Sequence, residues 1–179
     1  MQRIGVVGHR FIRDDTVLKY LRRKITMILD CFCSLYPDLI ALSAIAEGAD
    51  TIFAEAALGL GMPLEIIKPY QAYHSDFTTV SARNRYSALC AASCKEIVLS
   101  HTCRSDEAYK NAMNLVVTQS DLLVVVWDGC PAMAICGTSH AVDDAVRLNK
   151  SWIHLNVVDL TVTHHFVNEI IEMSYATAR

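Results

Sequence analysis

Four short stretches of this chain put glycine beside groups that bind anions or move protons: Gly8-His9-Arg10, Glu47-Gly48-Ala49-Asp50, Trp127-Asp128-Gly129 and Gly137-Thr138-Ser139. Glycine lets the backbone turn sharply or come close to a ligand. Arginine can hold a phosphate through two parallel N–H donors. Arg10 is the candidate for that task, with a surface ion pair as its alternative. His9 is either a hydrogen-bonded structural residue or a proton carrier. Glu47 can accept from ribose hydroxyls, as acidic residues do in nucleotide folds, or be satisfied by N–H groups of its own loop. Asp50 reads as the N-cap of a helix. The Trp127 indole either stacks on a base or packs, and Asp128 either binds a ligand hydroxyl or closes an Asx-turn ahead of Gly129. Gly137 and Thr138, with Ser139 beside them, are the best phosphate candidates, through N–H groups at a helix start and a hydroxyl. Capping of that helix by Thr138 or Ser139 is compatible with this role. For acid or base work the candidates are Glu47 and Asp128, although no activated pair is identified.

The elements that must position these groups follow from periodicity. Ile4–Val7, Leu39–Ala46, Leu64–Lys68, Ile97–Leu99, Leu122–Val126 and Trp152–Leu155 are short apolar runs of strand length. Between them apolar residues recur at helical spacing. They are Val17, Leu21, Ile25, Ile28 and Phe32 behind Asp14, then Ile52, Phe53, Ala56 and Leu60, then a helix around 82–92. Tyr109, Ala112, Met113 and Val116 make the next such face, and Ala141, Val142 and Ala145 another. Residues 69–81, with Tyr70, Tyr73, His74 and Phe77 in a polar setting, read as a long loop, and a terminal helix is expected at 163–176. Alternating strands and helices predict an α/β fold: Rossmann-like and doubly wound, a mainly parallel sheet with helices on both faces, in one domain over 1–179. In such a sheet the loops after the first, second and fifth strands emerge on one edge, where ligands sit.

Composition narrows the partners. A net charge of −3 gives no electrostatic reason to expect nucleic acid, whose affinity rests on phosphate contacts. No apolar run approaches the ~20 residues of a membrane span. MQRIGVVGHR runs directly into strand-like sequence without the pattern of a signal peptide, so a cytoplasmic protein is expected. The seven cysteines read as reduced thiols. Cys31-x-Cys33, Cys90-x3-Cys94 and His101-x-Cys103 lack the ligand spacings of structural zinc, and neither a metal nor a cofactor is expected.

Neither the dinucleotide fingerprint G-x-G-x-x-G nor the P-loop G-x4-G-K-[ST] occurs. The chain nevertheless resembles the SLOG superfamily, the Rossmann-like group that unites the DNA-processing Smf proteins with the LOG phosphoribohydrolases. The matching pieces are IGVVGHR at Ile4–Arg10, AEGAD at Ala46–Asp50, SDLLVVVWDG at Ser120–Gly129 and GTSHAVDDA at Gly137–Ala145, in family order. The SLOG domains of bacterial nucleotide-signalling and conflict systems are the most similar in flavour. The resemblance implies a sensor that binds a phosphate- and ribose-containing small molecule, such as an ADP-ribose-type signal. It places Gly8, His9 and Arg10 in the first loop, Gly48 and Asp50 in the second, and Asp128, Gly129, Gly137 and Thr138 around phosphate and ribose. A nucleotide N-glycosidase or phosphoribohydrolase is the alternative it implies. LOG hydrolases carry P-G-G-x-G-T-x-x-E, whereas here Ala141 occupies the glutamate position and Cys136 that of the glycine before Gly137. Asp144 lies one turn further, about 5 Å along the helix axis. A sensor is therefore expected in preference to an enzyme. Self-association is common in the superfamily, and the apolar content of 53% agrees with a homo-oligomer.

Overall fold

The computed structural model describes residues 1–131, 137–167 and 176. Its sheet contains β1 (Arg3–Gly8), β2 (Ile40–Ser43), β3 (Leu64–Tyr70), β4 (Lys95–His101), β5 (Leu122–Trp127), β6 (Ser151–Asn156) and β7 (Val162–His165). The spatial order is β4-β3-β2-β1-β5-β6-β7, parallel throughout except for the antiparallel pair β6 and β7. The chain winds outward from β1 in both directions, so the topological switch point lies between the carboxyl ends of β1 and β5. The expected α/β, doubly wound Rossmann-like fold is the one observed.

Helices cover both faces. On one side α1 (Asp15–Leu35), α2 (Ala49–Gly59) and α3 (Val80–Ala92) pack on Ile4, Val6, Leu64, Ile66, Leu122 and Val124. On the other α4 (Asp106–Gln119) and α5 (Thr138–Arg147) pack on Val7, Leu42, Ile67, Leu123 and Val125. Alternate residues of one strand thus serve opposite cores, which is why β5 reads as an unbroken apolar run. Asp14 caps α1 by accepting from the Thr16 and Val17 N–H groups at 2.7 and 3.1 Å. Thr79 and Ser105 do the same for α3 and α4, accepting at 3.1 Å from Ala82 and Ala108.

The edge opposite the carboxyl ends is tied down by charge. Arg3 reaches across β2 to Glu65 at 3.1 Å, Lys95 lies 3.7 Å from the same carboxylate, and Asp121 accepts from the Gln2 and Arg3 N–H groups. No helix among the described residues is long and apolar enough to cross a membrane.

Several local expectations need correction. The second strand stops at Ser43 rather than Ala46, because the chain turns out of the sheet where Ile45 takes a φ of 48°. Helix α2 begins at Ala49 with Gly48 as its N-cap, so Asp50 is not the cap but a buried residue of the first turn. Helix α5 likewise has Gly137 as N-cap, with Thr138 and Ser139 inside it. Strand β3 continues through Pro69 to Tyr70 at the cost of an irregular register with β4, since proline has no N–H for the ladder. A 3-10 turn, Tyr73–Asp76, interrupts the expected loop that follows. The helix expected at 163–176 does not start as one. A hairpin returns the chain as β7, its turn held by the Asn156 carboxamide accepting from Val158 N–H and the Asp159 carboxylate from Thr161 N–H. The remainder of that expected helix, 168–175, lies outside the described residues.

Candidate functional site

The loops after β1, β2 and β5 meet at the switch point and are fastened to one another through His9. Its backbone N–H donates to Val126 O at 3.0 Å, and its carbonyl accepts from Ala49 N–H at 3.0 Å. On the ring, Nε2 accepts from Asp128 N–H at 3.1 Å and lies 3.3 Å from Asp128 Oδ1. Nε2 serves the first contact as an acceptor and the second when it carries the hydrogen, so Asp128 engages His9 in either tautomer. Gly48 makes the approach possible. It has a φ of 92°, and a Cβ there would fall 2.3 Å from Arg10 O and 2.4 Å from His9 O.

Beneath this junction opens a cleft of about 610 Å³, counting its open mouth. Val6, Val7, Ala44 and Ala46 from the ends of β1 and β2 line it, together with Ala112, Met113 and Val116 of α4. Its polar lining is Arg10, Asp50, Tyr73, Tyr109 and Thr138. Mostly apolar walls with a few convergent polar groups are the usual make-up of a ligand pocket.

Arg10 is held by several partners. Its guanidinium lies 4.6 Å from the Tyr109 ring centroid and 3.9 Å from Asp76 Oδ2. The Asp76 carboxylate also accepts from the hydroxyls of Tyr70 and Tyr109, and Arg104 stands 4.0 Å away. Edge-to-face contacts join Tyr70, Tyr73 and Tyr109 behind this cluster. Burial pushes the Tyr73 and Tyr109 hydroxyls well above the ordinary tyrosine range, so both rings are neutral.

Asp50 is the buried carboxyl of the cleft, with 7% of its surface exposed. Burial pushes it up to about 7, against the pull of the Arg10 charge and of a hydrogen bond with the Ala46 backbone. It is a carboxyl that changes charge near neutrality.

The candidates divide by location. Gly8, Arg10, Asp50 and Thr138 line the main cleft, and His9 and Gly48 build its rim. Glu47 instead lines a neighbouring cleft of about 380 Å³, shared with Arg10, Phe11, Asp76, Phe77 and Arg104. Asp128 closes an Asx-turn by accepting from Cys130 N–H at 2.9 Å, and Gly129 follows exposed, with a φ of 83°. Trp127 packs: its indole donates to Cys130 O at 2.9 Å, and its ring centroid lies 5.5 Å from that of His154. Ser139 sits half-buried in the first turn of α5. Tyr73, Tyr109, Asp76 and the α4 wall were not among the sequence candidates. The only hint of them was the group of aromatics in the polar stretch 69–81.

No family model and no curated protein sequence matches the chain. Solved structures do. DNA processing protein A from Streptococcus pneumoniae matches over 98% of this chain at TM-score 0.61 and 13% identity, and the chain spans 55% of that protein. The same protein from Helicobacter pylori, whose single-stranded DNA binding mode has been described, matches over 97% at TM-score 0.58 and 16% identity, with 73% of it covered. The molybdenum cofactor binding protein from Rippkaea orientalis matches over 98% at TM-score 0.55 and 18% identity, with 83% of it covered. The likeness is one of fold: these proteins share the doubly wound α/β architecture of this chain. In this fold the cleft occupies the carboxyl edge of the parallel strands, on both sides of β1.

Proposed function

We propose that the chain is a ligand-binding SLOG domain that takes a nucleotide-derived molecule containing phosphate and ribose. One observation carries the reading: Arg10, the Asp50 carboxyl and the start of α5 at Thr138 converge on one mostly apolar cleft. Among the described residues no side chain caps α5 and its first turn holds no acid. Its positive dipole end is therefore not offset by an acid of its own first turn and suits an anion. Arg10 supplies a fixed cation beside the same cleft, and the apolar walls suit a ring. Of the ligands named for structures of this fold, single-stranded DNA is the less suitable here. The net charge is −3, and Asp76 already faces Arg10 and Arg104. A sensing role, with ligand occupancy altering self-association in the cytoplasm, is part of the proposal.

A second reading has its own support. A carboxyl near 7 at the cleft is suited to general acid work, and cleavage of an N-glycosidic bond would need such a donor. Incubating the pure protein with AMP, NAD and ADP-ribose separates the two readings. Thermal stabilisation without turnover is the expected result for the sensor. Released base or nicotinamide would make it a hydrolase. No stabilisation by any of the three, with the protein folded, would remove the site.

A further inference from the structure

Arg10 lines both the main cleft and the neighbouring one, so the two are adjoining compartments with a cation in common. The guanidinium marks their boundary. Its carbon lies 4.6 Å from the centroid of Tyr109, a wall of the main cleft, and its Nη2 lies 3.9 Å from Asp76, a wall of the neighbouring one. Arg104 reaches the same pair, 4.0 Å from Asp76 and 6.0 Å from the Tyr109 centroid, but lines only the neighbouring cleft. Two cations thus share one carboxylate, which also accepts from the Tyr70 and Tyr109 hydroxyls. The rest of the neighbouring cleft is unengaged. Glu47 is half-buried on its lining, and among the described residues its carboxylate has neither a hydrogen bond nor an ion pair. Phe11, on the same lining, is 76% exposed and makes no ring contact among the described residues. An exposed apolar side chain is ordinary by itself. Here it shares a cleft with a free carboxylate and an exposed guanidinium.

We propose that the neighbouring cleft is a second subsite that takes a terminal sugar, and that the ligand is a nucleoside diphosphate carrying that sugar. Its base lies in the main cleft, its two phosphates pass Arg10 and Arg104, and its terminal sugar meets Glu47 and Phe11. This rests on the nucleotide reading above and deepens it. A mononucleotide occupies the main cleft alone. A molecule that fills both compartments must pass Arg10, and the linker that suits two neighbouring guanidiniums is an anion long enough to reach each of them. A diphosphate is such a linker. Beyond it, the carboxylate and the phenyl ring define the terminal group. An ionised carboxylate only accepts hydrogen bonds, so its partner must donate, and vicinal sugar hydroxyls present two donors to its two oxygens. The C–H face of the same sugar is apolar and packs on a phenyl ring. A third phosphate in that place would be repelled by Glu47, and a cationic head by Arg104.

The test is calorimetric binding of AMP, ADP and ADP-ribose to the full chain at one pH and one salt concentration. ADP carries more negative charge than ADP-ribose, so charge alone favours ADP, and a preference for ADP-ribose reports the sugar. The expected result is that ADP-ribose binds about tenfold more tightly than ADP, as a hydrogen-bonded charged group gives, and ADP more tightly than AMP. Glu47→Gln and Phe11→Ala should each remove most of the preference for ADP-ribose over ADP while changing AMP affinity by less than about twofold. Arg104→Ala should weaken ADP and ADP-ribose alike, again with AMP little altered. Thermal melts verify that the three variants fold. ADP-ribose binding no tighter than ADP, or losses in the Glu47 and Phe11 variants as large for AMP as for ADP-ribose, overturns the second subsite. Binding of AMP in the same experiment leaves the nucleotide reading standing. Failure of all three ligands to bind overturns the two together.

Discussion

Replacing Asp50 with asparagine should change how stability depends on pH, and the size of the effect follows from where the carboxyl sits. Burial moves it from 3.8 to about 7, so between those values the folded chain holds a proton that the unfolded chain has released. Stability then falls as pH rises, because the native state binds more protons than the denatured one. At ~1.4 kcal/mol per pKa unit the whole interval is worth about 4 kcal/mol. In a chain of this length that corresponds to roughly 10 °C in Tm. The contribution is fully present below about 4 and exhausted by about 7. The amide cannot titrate and loses the dependence. Denaturant unfolding of the natural chain and of Asp50→Asn, in steps from about pH 4 to about pH 8, gives the difference directly. Carboxyls pulled the other way cancel in that difference, among them Glu96, held down by its hydrogen bond with Lys68. The expected curve declines by about 4 kcal/mol and then levels. A flat difference across the interval would refute the reasoning, because Asp50 would then be ionised in the folded protein as it is in the unfolded one.

Three further substitutions probe other parts of the structure. Gly48→Ala combines a φ of 92° with a Cβ 2.3 Å from Arg10 O, and should cost more than about 2 kcal/mol in denaturant melts. Gly59→Ala, with nothing within 4 Å of the added Cβ, should instead stabilise by about 0.5–1 kcal/mol, and similar losses at both sites would contradict the account of the loop junction. Arg10→Ala should weaken AMP binding by ~1.5–3 kcal/mol in calorimetry if the guanidinium makes a charge-assisted bond to phosphate. Unchanged affinity would exclude that bond. Glu65→Gln removes the carboxylate shared by Arg3 and Lys95 on the opposite edge. It should destabilise by about 1–3 kcal/mol without altering ligand affinity, since both cations keep access to solvent.

The strand-end loops were legible because glycine beside charge contributes nothing to a core, so at the close of an apolar run it marks backbone leaving the sheet. The sheet order then brought Gly8, Arg10, Asp50 and Thr138 to one cleft. The walls were not legible. Ala112, Met113 and Val116 form the apolar stripe expected of any core-facing helix, and periodicity does not distinguish a face that packs from one that borders a slot. Asp50 fell two residues past the true cap, a displacement that sequence alone hides because aspartate suits both places. The Asp76 cluster draws on Tyr70, Tyr109, Arg10 and Arg104, contributed by three separate stretches of the chain, the loop after β1, residues 70–76 and residues 104–109. The strand at Val162–His165 escaped because the turn before it is held by asparagine and aspartate side chains, without the glycine that marks a tight hairpin.

The way His9 joins three loops bears on how quickly a molecule can enter. One residue bonds to Val126, Ala49 and Asp128, so this part of the rim takes its shape when the chain folds and has little left to rearrange on contact. Entry into such a mouth is a single encounter, with an observed rate that climbs in proportion to concentration and does not level off. Loosening His9 would add a slow step ahead of capture. The loss would then appear first as a plateau in the approach rate, before any change in how long the molecule stays.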